Sequence, residues 1–85
     1  MKDLKYNNDI IKEIIKDLES NFTKKIKINE ISPLHKKVVK TYEGQLVKLY
    51  NNIFSVDVFY KSYHFIKTFN YNKIVTNELS YEFLN

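Results

Sequence analysis

Few side chains in this 85-residue chain could do chemistry, and their spacing leaves them little to do. The chain holds two histidines, His35 and His64, and no cysteine. Wound as a helix, Ser55 to Phe69 places Asp57, Lys61, His64 and Thr68 on one polar stripe. Asp57 then lies two turns from His64, on the order of 10 Å away, too far to orient the imidazole. His35 falls on the apolar side of the preceding segment, where a partly buried histidine bonded to backbone is the expected role. A metal centre needs several ligands close together, and the carboxylates are dispersed along the chain. Gly44 is the only glycine, so there is no Gly-rich phosphate loop. No catalytic residue, metal ligand or cofactor is expected, and the chain does not read as an enzyme.

Two other groupings are suited to binding. Lys24, Lys25, Lys27, Lys36, Lys37 and Lys40 are opposed only by Glu30 within their segment, which concentrates the chain's net positive charge there. Such a segment is either a phosphate-binding patch or a solvated face partly neutralised by Asp9, Glu13 and Asp17. Lysine is a point charge without arginine's planar fork, so any nucleic-acid contact would be largely independent of base sequence. Lysines also interleave with rings at Tyr60-Lys61, Tyr63 and Lys67-Thr68-Phe69, an arrangement able to stack bases.

The second grouping is aromatic. Around the 55–69 helix, Val56, Tyr60 and Tyr63 share one side, while Val58, Phe65 and Phe69 share another. Phenylalanine has no polar tip to keep wet, so the Phe65/Phe69 side is expected inside. The Val56/Tyr60/Tyr63 side is the expected surface for a protein partner or a second copy.

The elements that must position these groups follow from periodicity. Asn7-Asn8-Asp9 can cap a helix whose residues Ile10, Ile11, Ile14, Ile15, Leu18 and Phe22 fill an arc of roughly 140°. Over 24–31, Ile26 and Ile28 alternate with polar residues, which predicts a short strand or an extended linker. A lone strand needs a partner, and the alternating run Glu78 to Phe83 is the obvious one.

Ser32-Pro33 has the chemistry of a helix start. From there Leu34, Val38, Val39, Tyr42, Leu46, Leu49, Tyr50 and Ile53 share an arc of about 160° at helical pitch. A hairpin turning at Glu43-Gly44 would scatter them over both faces. Asn51-Asn52 breaks the pattern, Ser55 can cap the aromatic helix, and Asn70-Tyr71-Asn72 ends it. Thr76 can cap a short C-terminal element.

These elements predict a single, mainly α-helical domain over 1–85: three longer helices, a short C-terminal element and a short strand at 24–31. The competing fold is α+β, with a small antiparallel sheet and strands at Ile53–Tyr60 and His64–Phe69. It ranks second because its alternation slips at Lys61–Tyr63.

Ala, Arg, Trp and Cys are missing while Lys, Asn, Ile, Tyr and Phe abound, the bias of an A/T-rich gene. Strand propensity is discounted for that reason. No run approaches the roughly 18 apolar residues of a spanning helix, and Met1-Lys2-Asp3-Leu4-Lys5 leads into no apolar segment. A cytoplasmic protein with no membrane contact is expected.

The expected function is non-enzymatic binding of a macromolecule. Small size, codon bias and the lack of catalytic groups form a profile shared with phage and mobile-element proteins. Such proteins, anti-CRISPR proteins among them, bind and block a host protein or nucleoprotein complex. No residue motif supports a closer resemblance. The alternative is a small basic nucleic-acid-binding protein or regulator, with a homodimer consistent with either.

Overall fold

The computed structural model describes residues 2–84. Helix α1 (Lys2–Ser20) leads into strands β1 (Lys25–Ile31), β2 (Val38–Leu49), β3 (Ile53–Tyr60) and β4 (Tyr63–Asn70). A short helix, α2 (Tyr71–Val75), then precedes β5 (Leu79–Leu84). The five strands form one antiparallel sheet in the order β4-β3-β2-β1-β5. This overturns the mainly α-helical bundle. Of its three longer helices only the first exists.

That first helix packs as its apolar arc requires. Ile14 and Leu18 are buried, and Ile10, Ile11, Ile15 and Phe22 pack partly covered beside them. It starts earlier than the Asn7-Asn8-Asp9 signal, which lies within α1. Asp17 of the acidic stripe meets no lysine among the described residues. It accepts a hydrogen bond of 2.7 Å from the Tyr81 hydroxyl on β5.

The alternation at 24–31 makes β1, with Ile26 and Ile28 fully buried. One of its neighbours is the expected one: β5 pairs antiparallel from Lys25↔Leu84 to Glu30↔Leu79. The other is β2, aligned from Lys25↔Gln45 onward.

Residues 34–53 contain neither the helix nor the hairpin considered for them. Ser32 does cap a turn, because its Oγ accepts from the His35 N–H and its carbonyl from the Lys36 N–H. The turn stops there, with Lys36 in the left-handed region at φ 58°. Strand β2 follows, and within it Tyr42, Gly44 and Leu46 alternate inward. Apolar residues four apart satisfy a helical face and a strand face equally. The central glycine decides between them. A Cβ on Gly44 would lie 2.0 Å from the Asp57 carbonyl oxygen, so β3 approaches where no side chain can stand.

The 55–69 segment is a hairpin, not a helix. Phe54, Val56 and Val58 are buried on one face of β3, and the slip at 61–63 is the turn itself. Lys61-Ser62 forms a two-residue loop closed by the Tyr60↔Tyr63 pair, with Lys61 at φ 54°.

The register of β2 against β3 shifts between Leu46 and Lys48. Bulges of this kind bend and coil a sheet. Tyr42 on β2 and Phe69 near the end of β4 are far apart in register, yet their ring centroids lie 5.6 Å apart. The sheet is therefore coiled, and its inner face holds the core. Phe54 stacks between Phe69 and Tyr71, at 5.6 and 5.3 Å. The buried Tyr71 hydroxyl has no hydrogen-bond partner among the described residues.

Burial holds the Tyr81 phenol well above its ordinary value of 10.0, and its hydrogen bond to Asp17 adds to the effect. The folded protein then keeps a proton that the unfolded chain releases above about pH 10, so stability is full below that pH and falls above it. Tyr71 shifts in the same direction, chiefly through burial. Urea unfolding between about pH 8 and 11 should show this alkaline loss, and Tyr81→Phe should make it shallower without abolishing it. A wild-type midpoint flat across that range would refute the linkage.

Candidate binding surface

The loop joining β1 to β2 and the β3–β4 turn lie at the same end of the sheet, since Ile31 pairs with Val38 and Tyr60 with Tyr63. Here the inner face opens into a cleft of about 300 Å³. Tyr42, Val58, Tyr60, Tyr63 and Phe65 line it together with Lys40, Thr41 and Phe59. Strand geometry puts Tyr63, Phe65, Lys67 and Phe69 on one face of β4, with Val56, Val58 and Tyr60 facing the same way from β3.

Two of the lining rings, Tyr42 and Tyr60, have cations beside them. The Lys40 ammonium sits 5.1 Å from the Tyr42 centroid and Lys67 5.3 Å from the same ring. Lys61 sits 5.3 Å from Tyr60, which meets Tyr63 edge-on with centroids 5.6 Å apart. No acidic side chain lines the cleft among the described residues. Tyr63 is 58% exposed and Phe65 39%, so ring faces remain open to a flat or apolar group.

Tyr60 and Tyr63 are thus together and exposed. Val56, grouped with them on the helical wheel, is fully buried and can meet no partner. Phe69 is internal as expected, but Phe65 forms a wall of the cleft. The wheel mixed these residues because it sorted by 100° steps what the sheet sorts by alternation.

The six lysines do not form one patch. Lys25 pairs with Glu43 at 3.3 Å and Lys27 with Glu82 at 3.8 Å on the outer face of the sheet. Lys24 lies in the turn before β1, at the opposite end from the cleft. Lys36, Lys37 and Lys40 belong to the cleft end, where Lys61 joins them. Sequence reasoning left Tyr42 and Phe65 out of the site, while Lys61 is where the ring–lysine interleaving put it, beside Tyr60. The signal that would have found Phe65 is the period-two run Tyr63, Phe65, Lys67, Phe69.

On the outer face, His64 Nδ1 lies 2.7 Å from Asp57 Oδ1. The distance of two helical turns expected between them is overturned, because the two strands are hydrogen-bonded neighbours. The ring of Phe59 borders this pair edge-on. The dyad ties β3 to β4 across the hairpin. Among the described residues no three His, Asp or Glu side chains gather as metal ligands, and no helix is long and apolar enough to cross a membrane.

Compared with known protein families and with curated proteins, the chain matches none.

Proposed function

We propose that this is a small non-enzymatic macromolecule-binding protein that uses the cleft end of its sheet, and that single-stranded nucleic acid is the partner this chemistry fits best. The observation that carries the reading is the set of open rings, Tyr60, Tyr63 and Phe65, with Lys61 beside Tyr60, Lys40 in the lining and no carboxylate there. Bases stack on exposed aromatic rings whatever their sequence, and lysines hold the phosphates between them. Lys36, Lys37, Lys40 and Lys61 supply those charges.

A second reading rests on its own observation. Leu34 is 82% exposed, and Val38 and Val39 are also exposed, at the same end of the sheet. Apolar side chains beside tyrosines suit a protein or nucleoprotein surface, as an inhibitor of a host complex would need.

Binding of a labelled single-stranded oligonucleotide across a salt series tests the choice. Tyr63→Ala should stay folded and lose roughly tenfold to a hundredfold in affinity. Replacing Lys36, Lys37 and Lys40 by Gln should flatten the salt dependence, by up to roughly one slope unit per lost contact. No binding by the parent protein at low salt would remove the nucleic-acid reading and leave the protein partner.

A further inference from the structure

Strand β4 ends the sheet, and its outer edge carries no strand among the described residues. Exposed edges are normally blunted by proline, bulges or several charges. β4 has none of the first two: its register against β3 runs unbroken from Tyr60↔Tyr63 to Ile53↔Asn70. Its one charged residue is Lys67. At the other margin, β5 is shorter, six residues against eight.

The hairpin sets which backbone groups point outward. The pair flanking a two-residue loop exchanges both its hydrogen bonds, and bonded pairs alternate along an antiparallel ladder. Tyr63, Phe65, Lys67 and Phe69 therefore direct their N–H and C=O groups at β3. His64, Ile66, Thr68 and Asn70 direct theirs away from the sheet. Ile66 is central to this outward set, and its side chain is 60% exposed on the outer face.

We propose that the β4 edge is a binding surface for a second copy of this chain, paired antiparallel across a two-fold axis through Ile66. In that register the two Ile66 side chains cover each other and exchange backbone hydrogen bonds. His64 stands opposite Thr68, and Tyr63 opposite Phe69. Lys67 of each copy faces Phe65 of the other, a cation against an aromatic ring, and no like charges are opposed. An axis through Lys67 would set two ammonium groups face to face. An axis through His64 or Thr68 would shorten the overlap.

The Ile66 register spans Tyr63 to Phe69, nearly the whole strand. α2 does not obstruct it, since the chain turns inward after Asn70 and buries Tyr71. The pairing also brings a further cation to the Phe65 wall of each cleft, but it stands whether or not the clefts bind nucleic acid.

Sedimentation of the full chain over a concentration series tests the proposal. The expected result is a monomer–dimer equilibrium that higher salt strengthens, because the copies carry the same net charge of +4. Nucleic-acid binding responds to salt in the opposite sense, so the two readings fail separately. Ile66→Lys places two ammonium groups across the axis, and should raise the dimer dissociation constant roughly tenfold or more with an unchanged circular dichroism spectrum.

The chain has no cysteine. A single Ile66→Cys should therefore form a disulfide-linked dimer on mild oxidation, while Phe59→Cys, exposed on the neighbouring strand, should not. A parent protein that stays monomeric, a dimer indifferent to Ile66→Lys, or assemblies larger than two would each overturn the proposal.

Discussion

Gly44→Ala is expected to unfold the protein or bring it to the edge of unfolding. The added methyl would sit 2.0 Å from the Asp57 carbonyl oxygen and 2.9 Å from its carbon. Both are backbone atoms of a hydrogen-bonded neighbour, so no side chain can swing aside to make room. Relief requires β2 and β3 to separate in the middle of the sheet, where Gly44 pairs with Val58. Overpacking of this kind costs about 3 kcal/mol or more, against a total stability on the order of 5–10 kcal/mol for a domain of this length. The left-handed region plays no part, since Gly44 has no positive φ. A thermal melt within a few degrees of wild type would show that the strands are not held this closely. Had this segment been helical, the same change would have stabilised it by ~1 kcal/mol, so the sign of the effect alone separates the two architectures.

Phe54→Ala should be nearly as severe. The ring is fully buried, stacked against Phe69 on one side and Tyr71 on the other. It ties β3 to β4 and to the short helix that follows. Removing it leaves a cavity among aromatic rings too rigid to collapse into it, at a cost of about 3–5 kcal/mol. Tyr63→Ala serves as the control, because its ring lies half in solvent and its loss should leave the melting temperature close to the parent value. A Phe54→Ala protein as stable as that control would refute the placement of the core.

The difference between the expected helices and the observed strands has a definite cause. In the 34–53 segment, Tyr42 and Leu46 stand four apart, a spacing common to both periods, while Leu34, Val38 and Val39 padded the helical arc and are in fact exposed. In the 55–69 segment, the break in alternation at Lys61-Ser62 counted against strands, yet a two-residue loop between strands produces such a break. The abundance of Ile, Phe and Tyr fits codon bias as well as it fits strands. Whatever put them there, their β-branched and aromatic side chains still pack on a pleated surface.

Sequence alone determined the local chemistry. It identified the amphipathic face of α1, the alternation of β1 and its pairing with the C-terminal strand, and the breaks at Asn51-Asn52 and Asn70. It also identified Tyr60 and Tyr63 as exposed rings beside lysines. These depend on neighbours within a few residues, or on one simple period, and so can be read along the chain. Only the tertiary structure decided that β2 is one long strand, that Gly44 admits the backbone of β3, and that Asp57 meets His64. It alone divided the six lysines between ion pairs on the outer face, the turn before β1 and the cleft end, and it alone brought Tyr42 and Phe65 to the same cleft. Each of these depends on which strands become neighbours and in what register. That choice is made by how the whole sheet coils around its core, and no short window of residues contains it.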